Sequence, residues 1–164
     1  MTKIYKLFLP LCLILTPLLA KEKSYSFIGI QTGMSEIDNK EILSMGVKYG
    51  VQQGNSRTSI IYSYDKKKSD KFQMLLLQID MGIFTNSFRN SSLKPYLGAS
   101  FGVAQAKSNQ LARDRGYVYG LNTGLAYILN SDFDLDLGYR YLKTSKLKNI
   151  DDINNLNLSM HYFY

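Results

Sequence analysis

The chain has 164 residues, with 20 basic and 13 acidic side chains, a single cysteine and a formal net charge of +7. One cysteine excludes an internal disulfide and a multi-thiolate metal site, and the length fits one domain. Beyond residue 20 no apolar run approaches the roughly 20 residues that a membrane-spanning helix needs.

At the N-terminus, Lys3 and Lys6 precede an apolar run from Leu7 to Ala20, broken only by Pro10, Thr16 and Pro17. That run is too short to span a bilayer and is followed by the polar Lys21-Glu22-Lys23. It fits a signal peptide better than a membrane anchor. Residues 1–20 are therefore expected to be removed on export through the Sec pathway, leaving residues 21–164 as one domain.

From residue 24 onward, apolar residues alternate with small or polar ones, as in strands whose two faces meet different surroundings. The alternation predicts eight strands, at roughly 24–34, 41–51, 56–65, 71–84, 93–105, 116–129, 132–142 and 154–164. The first three carry Ile28, Ile30 and Met34, then Leu43, Met45 and Val47, then Ile60, Tyr62 and Tyr64 on one face. The next three carry Leu75, Leu77 and Ile79, then Leu97, Phe101 and Val103, then Tyr117, Tyr119 and Leu121. The last two carry Leu135, Leu137 and Tyr139, then Leu156, Leu158, Met160, Tyr162 and Tyr164.

The opposite face reads as small and polar. Gly29, Gly46, Gly98, Gly124 and Gly138 share it with Lys48, Arg57, Asp80, Asp134, Asp136 and Arg140. Glycine weakens an ordinary strand, but a narrow barrel leaves little room near its axis. A soluble sandwich would bury the apolar face and expose the charges. A membrane barrel turns the apolar face to lipid and the polar face inward. Three features favour the barrel: the signal peptide, strands near the spanning length, and tyrosines near strand ends.

Three stretches resemble small outer-membrane barrels of the OmpA/OmpX and opacity-protein type. Lys94-Pro95-Tyr96-Leu97-Gly98-Ala99-Ser100-Phe101-Gly102-Val103-Ala104 resembles the fifth strand of that family. Gly120 to Tyr127 and Phe133 to Tyr141 resemble its sixth and seventh strands across a short turn. The C-terminal alternation Leu156, Leu158, Met160, Tyr162 and Tyr164 resembles the signal read by the barrel-assembly machinery. The resemblance implies an all-β, antiparallel up-and-down transmembrane barrel of about eight strands in a bacterial outer membrane. It says little about activity, because function sits in local sites.

With both termini on the periplasmic side, external loops are expected near residues 35–40, 65–70, 107–115 and 143–153. Three of them are basic: Lys66, Lys67 and Lys68; Lys107, Arg113 and Arg115; Lys143, Lys146 and Lys148. They are either solvated loops or contacts for the phosphates of lipopolysaccharide and acidic host glycans. The lumen charges Lys48, Arg57, Asp80, Asp134, Asp136 and Arg140 are expected to pair into a plug, with a thin water path as the competitor. Ser159 and His161 share the inward face, but no upstream acid is placed to orient the histidine as a triad requires. The expectation is a monomeric, non-enzymatic surface-interaction protein. A narrow porin is the alternative, and a lipid A-modifying enzyme a remote one. Its expected partners are membrane lipid, lipopolysaccharide, the assembly machinery and a host or surface ligand. No cofactor, metal or nucleic acid is expected.

Overall fold

A computed structural model describes residues 24–37, 40–67, 70–82, 91–108, 111–147 and 150–164. Residues 1–20, expected to be a signal peptide, and Lys68 and Lys148 lie outside them. Eight strands follow in order: β1 Ser24–Ile37, β2 Lys40–Gln53, β3 Ser56–Lys67, β4 Asp70–Gly82, β5 Leu93–Ser108, β6 Leu111–Ile128, β7 Phe133–Ser145 and β8 Asp152–Phe163. Each pairs antiparallel with its neighbours, and β1 also pairs with β8, closing a barrel. Closure removes every sheet edge and satisfies the backbone within the sheet, the condition for strands to sit in lipid.

Alternation sets the two faces. On β1, Ile28, Ile30 and Met34 point outward, whereas Phe27, Gln31 and Ser35 are buried inside. The outward residues form rows of directly opposed positions across neighbouring strands. Counting from the end that carries the termini, β3, β4, β5 and β6 present Thr58, Ile79, Ala99 and Leu121. Next come Ile60, Leu77, Phe101 and Tyr119, then Tyr62, Leu75, Val103 and Tyr117. A row of Tyr64, Gln73, Gln105 and Arg115 follows, and above it Lys66, Lys71 and Lys107.

At the terminal end β2 turns into β3 through Gly54 and Asn55. Gly54 holds a positive φ of 53° as the first central residue, where glycine is favoured.

The strands, 12 to 18 residues long, outrun the expected ones at the opposite end. The loops expected at 35–40, 65–70 and 107–115 shrink to connections at 38–39, 68–69 and 109–110. Glu36, Lys66, Lys71, Lys107 and Arg115 are strand residues. Of these, Glu36, Lys66, Lys107 and Arg115 were expected in loops, because apolar alternation stops where the lipid stops, while backbone pairing continues.

The inward face departs from the small and polar expectation in one half of the barrel. Away from the termini the lumen is packed with Ile37, Ile42, Ile61, Phe72, Met74, Leu76, Val118, Leu142, Leu147 and Ile153. Met74-Leu75-Leu76-Leu77 shows why the sequence hid this: both phases are apolar, so the inward one was absorbed into the outward one. A strand buried on both sides reads as a continuous apolar run.

Candidate functional site

The polar half of the lumen lies toward the termini. Lys48 comes from β2, Arg57 from β3, Asp80 from β4, Asp134, Asp136 and Arg140 from β7, all pointing inward. Arg57 Nη2 donates to Asp134 Oδ2 at 2.6 Å, and its Nη1 lies 3.7 Å from Asp136 Oδ2. Lys48 Nζ lies 3.8 Å from the same Asp136 oxygen. The Arg57 guanidinium also sits over the rings of Phe27 and Phe163, at 5.3 and 5.5 Å, a cation–π arrangement.

Direct pairing stops there. Among the described residues no carboxylate lies within ion-pair distance of Arg140. Arg140 Nη2 donates instead to Gln78 Oε1 at 2.6 Å, and Gln78 Nε2 donates to Asp80 Oδ2 at 2.7 Å. Asn122 donates to the other Asp80 oxygen, and Ser100 to Asn122 Oδ1. Arg140 and Asp80 therefore communicate through an amide. Charges in a narrow interior need such partners because desolvation costs several kcal/mol per ion.

Sequence reasoning missed several members of this network. Tyr96 crosses from β5 and donates to Asp136 Oδ1 at 2.7 Å. It passes over two glycines: a Cβ on Gly138 would stand 2.7 Å from the Tyr96 hydroxyl, and one on Gly124 would stand 2.5 Å away. These glycines make room for one specific ring. Asp65, expected where the strand 56–65 meets the loop 65–70, continues the inward phase Arg57, Ser59, Ile61, Ser63 and is buried. A polar seam reaches it. Ser159 donates to Asn157 at 3.4 Å, Asn157 to Asn155 at 3.0 Å, Asn155 to Ser35 at 2.9 Å, and Ser35 to Asp65 at 3.3 Å.

The structure also corrects the expectation that no acid orients His161. Asp134 Oδ1 lies 2.6 Å from His161 Nδ1, set by direct register between β7 and β8. No nucleophile completes a relay, because the Ser159 hydroxyl donates to Asn157 and His161 Nε2 has no partner among the described residues. Both side chains are buried inside the lumen, away from lipid. At the terminal end the barrel opens into a cavity of about 330 Å³ whose lining includes Arg57, Lys94, Tyr96, Phe133, Asp134 and Phe163.

The basic residues expected in loops sort differently. Lys66, Lys107, Arg115 and Lys143 are exposed on the outer face of β3, β5, β6 and β7. The backbone places Lys67 on β3 and Arg113 on β6. Lys146, just past β7 with a φ of 68°, turns its ammonium over the Tyr117 ring at 5.3 Å. Leu156, Leu158, Met160, Tyr162 and Tyr164 form the exposed outer row of β8 and its terminus, with the Tyr162 and Tyr164 rings stacked 6.3 Å apart.

A closed eight-stranded barrel with an apolar outer belt and a charged interior defines an outer-membrane β-barrel. The profile of the outer membrane protein beta-barrel domain matches residues 19–163, and the chain belongs to that family. Its place is the outer membrane, with the belt against lipid.

Three solved structures illustrate the likeness. Neisserial surface protein A is 19% identical with a TM-score of 0.71, covering 86% of this chain and 97% of its own. Outer membrane protein H of P. aeruginosa is 22% identical with a TM-score of 0.61, covering 85% and 99%. The outer membrane enzyme PagL is 10% identical with a TM-score of 0.52, covering 82% and 97%. At these identities the shared property is the fold. No curated protein matches the sequence significantly.

Proposed function

We propose that the chain is a sealed, non-enzymatic, monomeric outer-membrane barrel that presents its loop end to the cell exterior and engages anionic surface groups there. The observation that carries this reading is the filled lumen. The terminal half is cross-linked by Lys48, Arg57, Asp134, Asp136, Gln78 and Arg140, and the other half is packed with aliphatic and aromatic side chains. That interior speaks against a porin. The missing contact between Ser159 and His161, and their distance from lipid, speak against a lipid A-modifying enzyme. What is left to interact is the rim, where Lys66, Lys71, Lys107, Arg115 and Lys143 are exposed.

In this reading residues 1–20 direct Sec export, the mature chain begins near Lys21, and the alternating row ending at Tyr164 is read by the assembly machinery. A lipopolysaccharide or host glycan supplies the anionic partner. The test is binding of the intact protein, reconstituted in zwitterionic vesicles, to a soluble sulfated oligosaccharide. Retention in low salt that disappears near 0.5 M salt supports the reading, since exposed charges are screened within a few ångströms there. No retention at any ionic strength overturns it.

A further inference from the structure

The row Lys66–Lys71–Lys107 has no electrostatic reason of its own. Lys66 on β3 is directly opposite Lys71 on β4, and Lys71 directly opposite Lys107 on β5. All three are exposed on the outer face, and none forms an ion pair among the described residues. Neighbouring strands lie about 4.8 Å apart, and like charges directly opposite each other destabilise a sheet. A row of three needs an anionic counterpart.

Position says where that counterpart lies. From Met81 to Lys71 along β4 is about ten residues, or roughly 33 Å of strand. A tilt near 40° reduces this to about 25 Å, the height of the apolar belt of such barrels. The Lys71 ammonium therefore stands near the upper edge of the hydrocarbon layer, flanked by those of Lys66 and Lys107 on the neighbouring strands, and all three face sideways from the outer wall. Just below them are Gln73, Gln105 and Arg115, with Arg115 Nε donating to Gln105 Oε1 at 3.0 Å. The β5–β6 register shifts between Ala106 and Ser108, around Lys107, and such irregularities re-aim side chains. The charge is confined to one sector. In the same row β2 and β1 hold Leu43 and Met34, and the next outward positions hold the directly opposed pair Glu36 and Glu41.

We infer that Lys66, Lys71 and Lys107, with Arg115 beneath them, form a lateral binding site for the phosphate groups of outer-leaflet lipid. The inference rests on the orientation adopted above, with the loop end outside. It assigns these rim residues to lipid headgroups beside the barrel, where the broader reading also admits a soluble glycan above it.

The test compares lipid A with its dephosphorylated form, each titrated against the intact folded protein in detergent and read by native mass spectrometry. Each lysine near an anionic surface contributes about fivefold, so three predict a preference on the order of a hundredfold for the phosphorylated lipid. The triple variant Lys66→Gln, Lys71→Gln, Lys107→Gln should lose that preference, and the corresponding triple arginine variant should keep it. Equal affinity for the two lipids, or an undiminished preference in a glutamine variant that still migrates as a folded barrel, overturns the inference. No lipid preference in the unmodified protein, with oligosaccharide retention intact, sinks this inference alone. No oligosaccharide retention by the unmodified protein, with the lipid preference intact, sinks only the broader reading.

Discussion

Arg140 reaches from β7 across the lumen to Gln78, its one protein partner, and its Nε and Nη1 are buried without another among the described residues. Ser59 Oγ, on the strand position directly beside Gln78, is likewise buried without a partner. Buried polar atoms of this kind are where internal water belongs. Gln78 is thus the joint between a buried cation and the Asp80 carboxylate. Replacing it with alanine strands the Arg140 guanidinium and leaves Asp80 with the Asn122 hydrogen bond. Gln78→Ala should cost about 3–5 kcal/mol of unfolding free energy in urea, by analogy with breaking a buried pair. In a cycle with Arg140→Ala, the two changes should couple by roughly 1–3 kcal/mol. Additive effects within about 0.5 kcal/mol would mean that the two side chains act independently.

At the scale of a strand, β4 carries the sharpest contrast. Its outward residues run Met81, Ile79, Leu77, Leu75, Gln73, Lys71 from the terminal end upward, and its inward ones run Asp80, Gln78, Leu76, Met74, Phe72. Lipid depth should be readable from the outward series. Leu77→Arg, near mid-belt, should cost about 2–4 kcal/mol, and Gln73→Arg, one row below the lysines, at most about 1 kcal/mol. Equal costs, measured by refolding into lipid vesicles, would mean the belt is misplaced on this strand.

The same strand shows what could be read from sequence. The outward phase was legible because Leu75, Leu77 and Ile79 alternate with Gln78 and Asp80. The inward apolar half was not, because Leu76 and Met74 look the same as their neighbours when both faces are apolar. The site was legible in part for a similar reason. Lys48, Arg57, Asp134 and Arg140 stand out as charges amid alternation, but several members that join them are neutral. Gln78, Asn122 and Tyr96 enter the network through register across strands, which one strand's pattern does not encode. Strand β8 carries its own prediction. Tyr164 ends the outer row, and its backbone N–H donates to Ser26 O at 3.0 Å where the barrel closes. Tyr164→Asp should lower the amount of folded barrel in the outer membrane, measured by heat-modifiable migration. An unchanged amount would remove this residue from the assembly signal.

For the whole molecule, the two halves of the lumen seal it by different physics. Toward the termini, ion pairs and amide bridges hold the strands together around a shallow cavity. Beyond them, Phe72, Met74, Leu76, Val118 and Leu142 pack the interior beside the hydrogen-bonded seam of Asn155, Ser35 and Asp65. Hydrophobic constrictions block conduction by excluding water, so the seal does not depend on the charge network alone. Arg140→Ala should therefore weaken the barrel without opening it. The most direct test is planar-bilayer conductance of the intact protein beside Arg140→Ala. The sealed-barrel account predicts no resolved current steps from either protein in molar salt. Stable ohmic steps from the unmodified protein would contradict it and make the chain a narrow porin.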